Sequence, residues 1–295
     1  MKTIAARVDD LALVAVSIAG LAIFVAPLAA GSAFSQTEVL FTALIACAAL
    51  AVMALALQTH RLSTRLLAVL AALVAVDATL RLVIVIGLLG FSPIFFLIIV
   101  GGYVMGPSFG FALGSLTLLL SAVLTAGFGP WLPYQMLASG WVGMGAGYLG
   151  RLWRRSTPSP TLPTIGGPRE PASGVERGRE IVTLGVYGCA AGFVYGVLLD
   201  LWEWPFFLGN ASSPISWAPH LAWPDLGRRF ATFYLTTSLV YDAFRAAGNL
   251  LLIAVLGPPV VAALSRFRRR FLIQWHTAEP RTTPANISED VRSPA

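Results

Sequence analysis

Charge is the first thing this chain lacks. Of its 295 residues only 12% are Asp, Glu, Lys or Arg, about half the share found in a soluble globular domain, so a water-facing shell cannot be built from them. Cysteine is almost missing as well. Cys47 and Cys189 stand alone inside apolar runs, without the paired spacing of a disulfide framework or a zinc site, and read as small core residues. The three histidines, at positions 60, 220 and 276, are scattered. Neither H-E-x-x-H nor the phosphate-cradling G-x-x-x-x-G-K-[ST] occurs. A zinc peptidase and a self-contained ATPase are thereby excluded.

What the chain has in abundance is apolar length. It is 57% hydrophobic, with a mean hydropathy of +0.76. Apolar runs fall at 11–34, 38–58, 66–88, 92–106, 108–127, 134–152, 180–201 and 233–264. At roughly 1.5 Å of rise per residue such runs cross a hydrocarbon core about 30 Å thick, the short run at 92–106 least easily. Backbone groups in lipid must bond internally, which leaves helices or closed barrels, and runs of this length are helical. The expected fold is an all-α polytopic membrane bundle. "GPSFG", residues 106–110, marks a turn between the fourth and fifth runs.

The few cations set the orientation. Lys2 and Arg7, then His60, Arg61 and Arg65, then Arg151, Arg154 and Arg155, and finally Arg266, Arg268, Arg269 and Arg270 fall on one side if eight helices alternate. Positive charge gathers on the cytoplasmic side, so the chain is expected in the plasma (inner) membrane with both termini inside, and the net charge of +6 reflects orientation rather than nucleic-acid binding. Arg228 and Arg229 depart from this rule in a long outward loop that also holds Asp225. Asp9 and Asp10 argue for a retained first helix over a cleaved signal peptide. Residues 156–179, rich in Pro, Gly and Ser, read as a flexible cytoplasmic linker, and 271–295 as a disordered tail.

Two outward segments carry the chemistry. "GFGPWLPYQM", residues 127–136, and the long segment 200–230, which opens "DLWEWPF", bring Trp131, Tyr134 and Gln135 together with Asp200, Trp202, Glu203 and Trp204. Flat rings with a few polar groups are what a small-molecule site needs; an aromatic belt at the membrane surface uses the same residues. In the last run Asp242, Arg245 and Asn249 stand at i, i+3 and i+7 and share one helix face. Asp77 and Arg81 stand at i, i+4. Charges inside a membrane face the bundle interior, where each pair either binds a ligand or locks two helices together.

These residues resemble a known family. "RLLAVLAALVAVDATLR", "GPSFG", "GPWLPYQM", "YGVLLDLWEWPF" and "AAGNLLLIAVLGPPVV" are similar to the substrate-binding S component of an energy-coupling factor (ECF) vitamin transporter, most like its cobalamin-type members, over residues 62–270. The resemblance implies a six-helix core, with two additional helices in residues 1–61, that captures a vitamin outside the cell, cobalamin first and riboflavin or another flat heterocycle second. It implies a T component and two ATPases as partners, with ATP used only by those subunits, no intrinsic cofactor or metal, and no enzymatic activity. It also implies that Ala68 and Ala72, and Ala71 and Ala75, at AxxxA spacing, meet the T component; small residues let helices approach closely in lipid, though internal packing asks for the same residues. Two other classes stay open: an intramembrane lipid transferase using Asp77, Asp200 and Asp242 with a divalent ion, and a stand-alone secondary transporter, whose inverted repeats are not visible in this chain.

Overall fold

A computed structural model describes residues 2–29, 64–84, 94–156, 174–206, 213–218 and 221–272. Among these residues every regular element is helical. They are α1 (Lys2–Ala29), α2 (Thr64–Ile84), α3 (Ile94–Met105), α4 (Pro107–Thr125), α5 (Leu132–Ser156), α6 (Gly174–Glu203) with a 3₁₀ turn at Trp204–Phe206, α7 (Trp223–Thr237) and α8 (Leu239–Leu272). Among the described residues three stretches are long and apolar enough to cross a membrane: Pro107–Thr125, Gly174–Phe206 and Leu239–Arg269. The expected second span at 38–58, Cys47, and the expected tail beyond 272 lie outside the described residues.

α3 is the centre of the bundle. It is apolar all round, and a helix with no polar face has to be buried; Phe95 through Val104 are enclosed, and the helix packs against α2, α4, α5, α6 and α8. The expected turn at "GPSFG" is a single residue. Gly106 has φ 118°, a left-handed setting that suits glycine, and Pro107 begins α4 at the helical position where its missing N–H is harmless.

Glycines then decide which helices touch. A side chain on Gly110 would collide with the Gly143 carbonyl and one on Gly143 with that of Gly110, so α4 and α5 meet backbone to backbone. Along α6, Gly185, Gly188, Gly192 and Gly196 lie against Leu250, Ile253, Ala246 and the Asp242 carboxylate of α8. Close approach of this kind replaces the hydrophobic drive that lipid does not supply. At the arginine-bearing end, the Tyr103 hydroxyl donates to Glu180 Oε1 (2.8 Å) and Arg154 Nη1 donates to the Tyr103 carbonyl (3.0 Å), tying α3, α5 and α6.

Several expected boundaries move. Residues 174–179, read as linker, form the first turns of α6, and Ser156 ends α5. The expected span at 233–264 divides at Ser238 into the end of α7 and the start of α8. Parts of the expected loop at 200–230 are helical too, at 200–206 and 223–230: Pro224 at the start of α7 presets the helical φ. The two arginines that broke the charge rule have local work there. Arg228 pairs with Asp225 at 3.2 Å, and Arg229 donates to the carbonyls of Ser213 (3.2 Å) and Ser216 (3.1 Å).

Candidate functional site

The aromatic end of the bundle is formed where α4 gives way to α5 and where α6 runs into its 3₁₀ turn. Ala126 closes α4 in the left-handed conformation, its N–H reaching the Ala122 carbonyl, and the chain turns through 127–131 into α5. The predicted aromatic residues separate into three environments here. Tyr134, fully enclosed, stacks on Trp202 with ring centroids 4.5 Å apart. Trp204, 1% exposed, donates from Nε1 to the Ile215 carbonyl (2.8 Å) and meets Phe230 of α7 at 5.3 Å, so it anchors the chain leading to α7. Trp131 stands apart at the turn, 43% exposed, and Gln135 is half-buried beside Tyr134 in sequence.

α1 joins this end unannounced by its composition. Phe24 sets its edge on Tyr134 at 5.1 Å and lies 5.5 Å from Trp141, whose Nε1 donates to Ser17 Oγ (3.0 Å). The platform made by Tyr134 and Trp202 is thus backed by a helix outside the six-helix core.

The polar residues follow their expected face. Asp242 and Asn249 are buried and Arg245 half-buried, all against α6. Asp242 and Arg245 form an ion pair. The Tyr234 hydroxyl of α7 donates to Asp242 Oδ2 (2.9 Å), Arg245 lies over the Tyr195 ring at 5.1 Å, and Asn249 Nδ2 donates to the Gly188 carbonyl (2.9 Å). Asp200, one turn beyond Gly196 on α6, stands near Ser238 and Asp242 and leaves Oδ2 unmatched; Glu203 is exposed.

The second acid and base stay within electrostatic reach of each other. Asp77 is fully buried against Thr117 of α4, while Arg81 is within electrostatic reach of Tyr195 on α6. No contact ion pair joins them, and Thr117 is the side chain placed to donate to Asp77. Arg81 thus lies between two neighbours, within electrostatic reach of both Asp77 and Tyr195. Asp77, Asp200 and Asp242 do not gather into a metal-holding group among the described residues.

Sequence reasoning missed Tyr195, Tyr234 and Phe24. The one available signal was the glycine spacing of "GVYGCAAGFVYG", which marks the α6 face that carries Tyr195 toward α8. Ala68, Ala71, Ala72 and Ala75 all lie on the exposed side of α2, opposite the buried Leu70, Val74, Asp77 and Ala78. A family model described as ECF transporter, substrate-specific component matches residues 61–257, about two thirds of the chain. No curated protein and no solved structure matches it.

Proposed function

Because the chain belongs to the family of ECF transporter substrate-specific components, transporter subunits rather than enzymes, we propose that it captures a vitamin at the aromatic end of its bundle. The observation that carries this reading is the meeting of two kinds of surface on α6. The Tyr134–Trp202 stack and the buried Asp242–Arg245–Tyr195 group lie at the same end of the helix, combining a flat apolar wall with orienting polar groups. Trp131, Gln135 and Asp200 form the rim. The arginine-bearing end faces the cytoplasm, with both termini inside, so the aromatic end meets the vitamin outside. Cobalamin, favoured by the resemblance of the two outer motifs, riboflavin and other flat heterocycles are the candidates. A T component and two ATPases supply the energy, and the exposed alanines of α2 are the surface that meets the T component.

The test is calorimetry on the purified full-length chain in lipid nanodiscs, with no ATPase present, against a vitamin panel. One member is expected to bind at micromolar concentration or tighter. Silence toward every member overturns the proposal.

A further inference from the structure

The arginine-bearing end of the bundle holds a charge imbalance that orientation alone does not explain. Pro107 has no N–H, so the Tyr103 carbonyl, four residues earlier, lacks the donor that would continue the ladder of α3. Arg154 of α5 supplies one: its Nη1 donates to that carbonyl at 3.0 Å. Gly150, one turn earlier on α5, leaves room for this, because a Cβ there would collide with the Tyr103 oxygen and crowd Arg154 Nη1. The Tyr103 hydroxyl in turn donates to Glu180 of α6. Arg154 is thus held in place by the end of α3, with most of its five N–H donors still to be matched.

Around that fixed guanidinium the charges do not balance. Arg151, Arg268 and Glu180 lie within electrostatic reach of Arg154, which sets three guanidinium groups against one carboxylate. Glu180 is already engaged by Tyr103. Arg268, half-buried on α8, has no hydrogen bond or ion pair among the described residues. A cation withdrawn from water without an anion is costly, and a like charge beside it adds to the cost. The preference for cations on the cytoplasmic side accounts for arginines at this end, but not for a half-buried one held near another. The complement is an anion with several acceptor oxygens, and guanidinium forks match phosphate bidentately. Depth selects its source. Arg268 lies in the last turn of the membrane-crossing stretch Leu239–Arg269, at the level where headgroups begin, and the exposed Leu152 shares its turn of α5 with Arg151 and Arg154. We propose that Arg154 and Arg268, with Arg151 beside them, bind the phosphate of an anionic phospholipid whose acyl chains lie along the apolar outer surface of the bundle. This site is at the end opposite the aromatic platform and does not depend on what is captured there.

The experiment titrates the purified full-length chain in neutral detergent with dioleoyl phosphatidylglycerol or dioleoyl phosphatidylcholine and counts bound lipid by native mass spectrometry. The anionic lipid is expected to bind about tenfold tighter than the zwitterionic one. Arg268→Gln should remove about fivefold of that preference without lowering the lipid-free melting temperature, because it relieves repulsion from Arg154 and breaks no pairing. Arg177→Gln, in the exposed first turn of α6, should bind as the parent does. Arg151→Gln supplies the same comparison should Arg268→Gln fail to fold. Equal affinity for the two lipids overturns the inference, and so does a parental preference in Arg268→Gln or, in its place, Arg151→Gln. A loss shared equally by Arg177→Gln assigns the preference to surface charge at large and overturns it too. Inorganic phosphate and glycerol phosphate, added at millimolar concentration, are expected to displace no lipid; displacement would give the site to a soluble phosphate and overturn the lipid assignment.

Discussion

Trp131 and Trp202 are the same residue type in opposite circumstances, and they should answer mutation differently. Trp202 is buried and stacked on Tyr134, so Trp202→Ala removes a core ring and is expected to lower stability by about 3–5 kcal/mol, read as a large drop in melting temperature. Trp131 is 43% exposed, and a surface substitution usually stays within about 0.5 kcal/mol. Trp131→Ala should therefore melt like the parent while weakening vitamin binding about tenfold, the loss of one ring contact and its share of buried area. Unchanged affinity in that well-folded variant would remove Trp131 from the rim and make it a membrane-surface anchor. Asp242 was readable from its spacing with Arg245 and Asn249, because i, i+3 and i+7 share a face in any helix. Tyr234, which donates to it, was not readable, because that contact depends on the helix break at Ser238 between α7 and α8.

At the scale of elements, the bundle depends on faces narrow enough for backbones to touch. Gly143→Val puts branched carbons where the Gly110 carbonyl lies, with helical backbone on both sides and no flexible side chain to yield. Overpacking of this kind costs about 1–3 kcal/mol or more, so a clear fall in the melting temperature is expected, whereas Gly227→Ala on α7, with open space around it, should be silent. α1 offers a second test. Phe24 is buried against Tyr134 and Trp141, and Phe24→Ala should reduce vitamin affinity along with stability by loosening the Tyr134 platform. Val14→Ala on the exposed side of α1 is the control. If affinity survives Phe24→Ala intact, α1 packs against the core without influencing the site.

On the proposed role the whole molecule is one partner in a larger machine, and the outer surface of α2 is where that role can be tested. The alanines at 68, 71, 72 and 75 leave a smooth exposed stripe on α2, while the opposite face of that helix is committed to α3 and α4. Small side chains permit a second helix to approach closely in lipid. Ala72→Trp should abolish co-purification with the T component and leave vitamin binding nearly unchanged. Joint loss of both activities would instead assign the stripe to the fold itself.

The sequence by itself determined the class of the protein. Scarce charge and recurring apolar runs require membrane helices, "GP" requires a turn between α3 and α4, and the polar spacing in α8 requires one shared face, because each is a matter of local length or periodicity. The family also was legible in those motifs. The candidate site was legible only in part: Tyr134 and Trp202 stack, yet Trp204 is drawn beneath α7, and no local pattern says that Asp77 meets Thr117 of α4. These outcomes belong to the tertiary structure. Trp141 and Ser17 lie 124 positions apart in the chain, and no local pattern states that α1 will lie against α5. Which buried carboxylate is paired and which is left unmatched depends on how closely the glycine-lined helices pack and on what each side chain then meets, and that is decided only when the helices assemble.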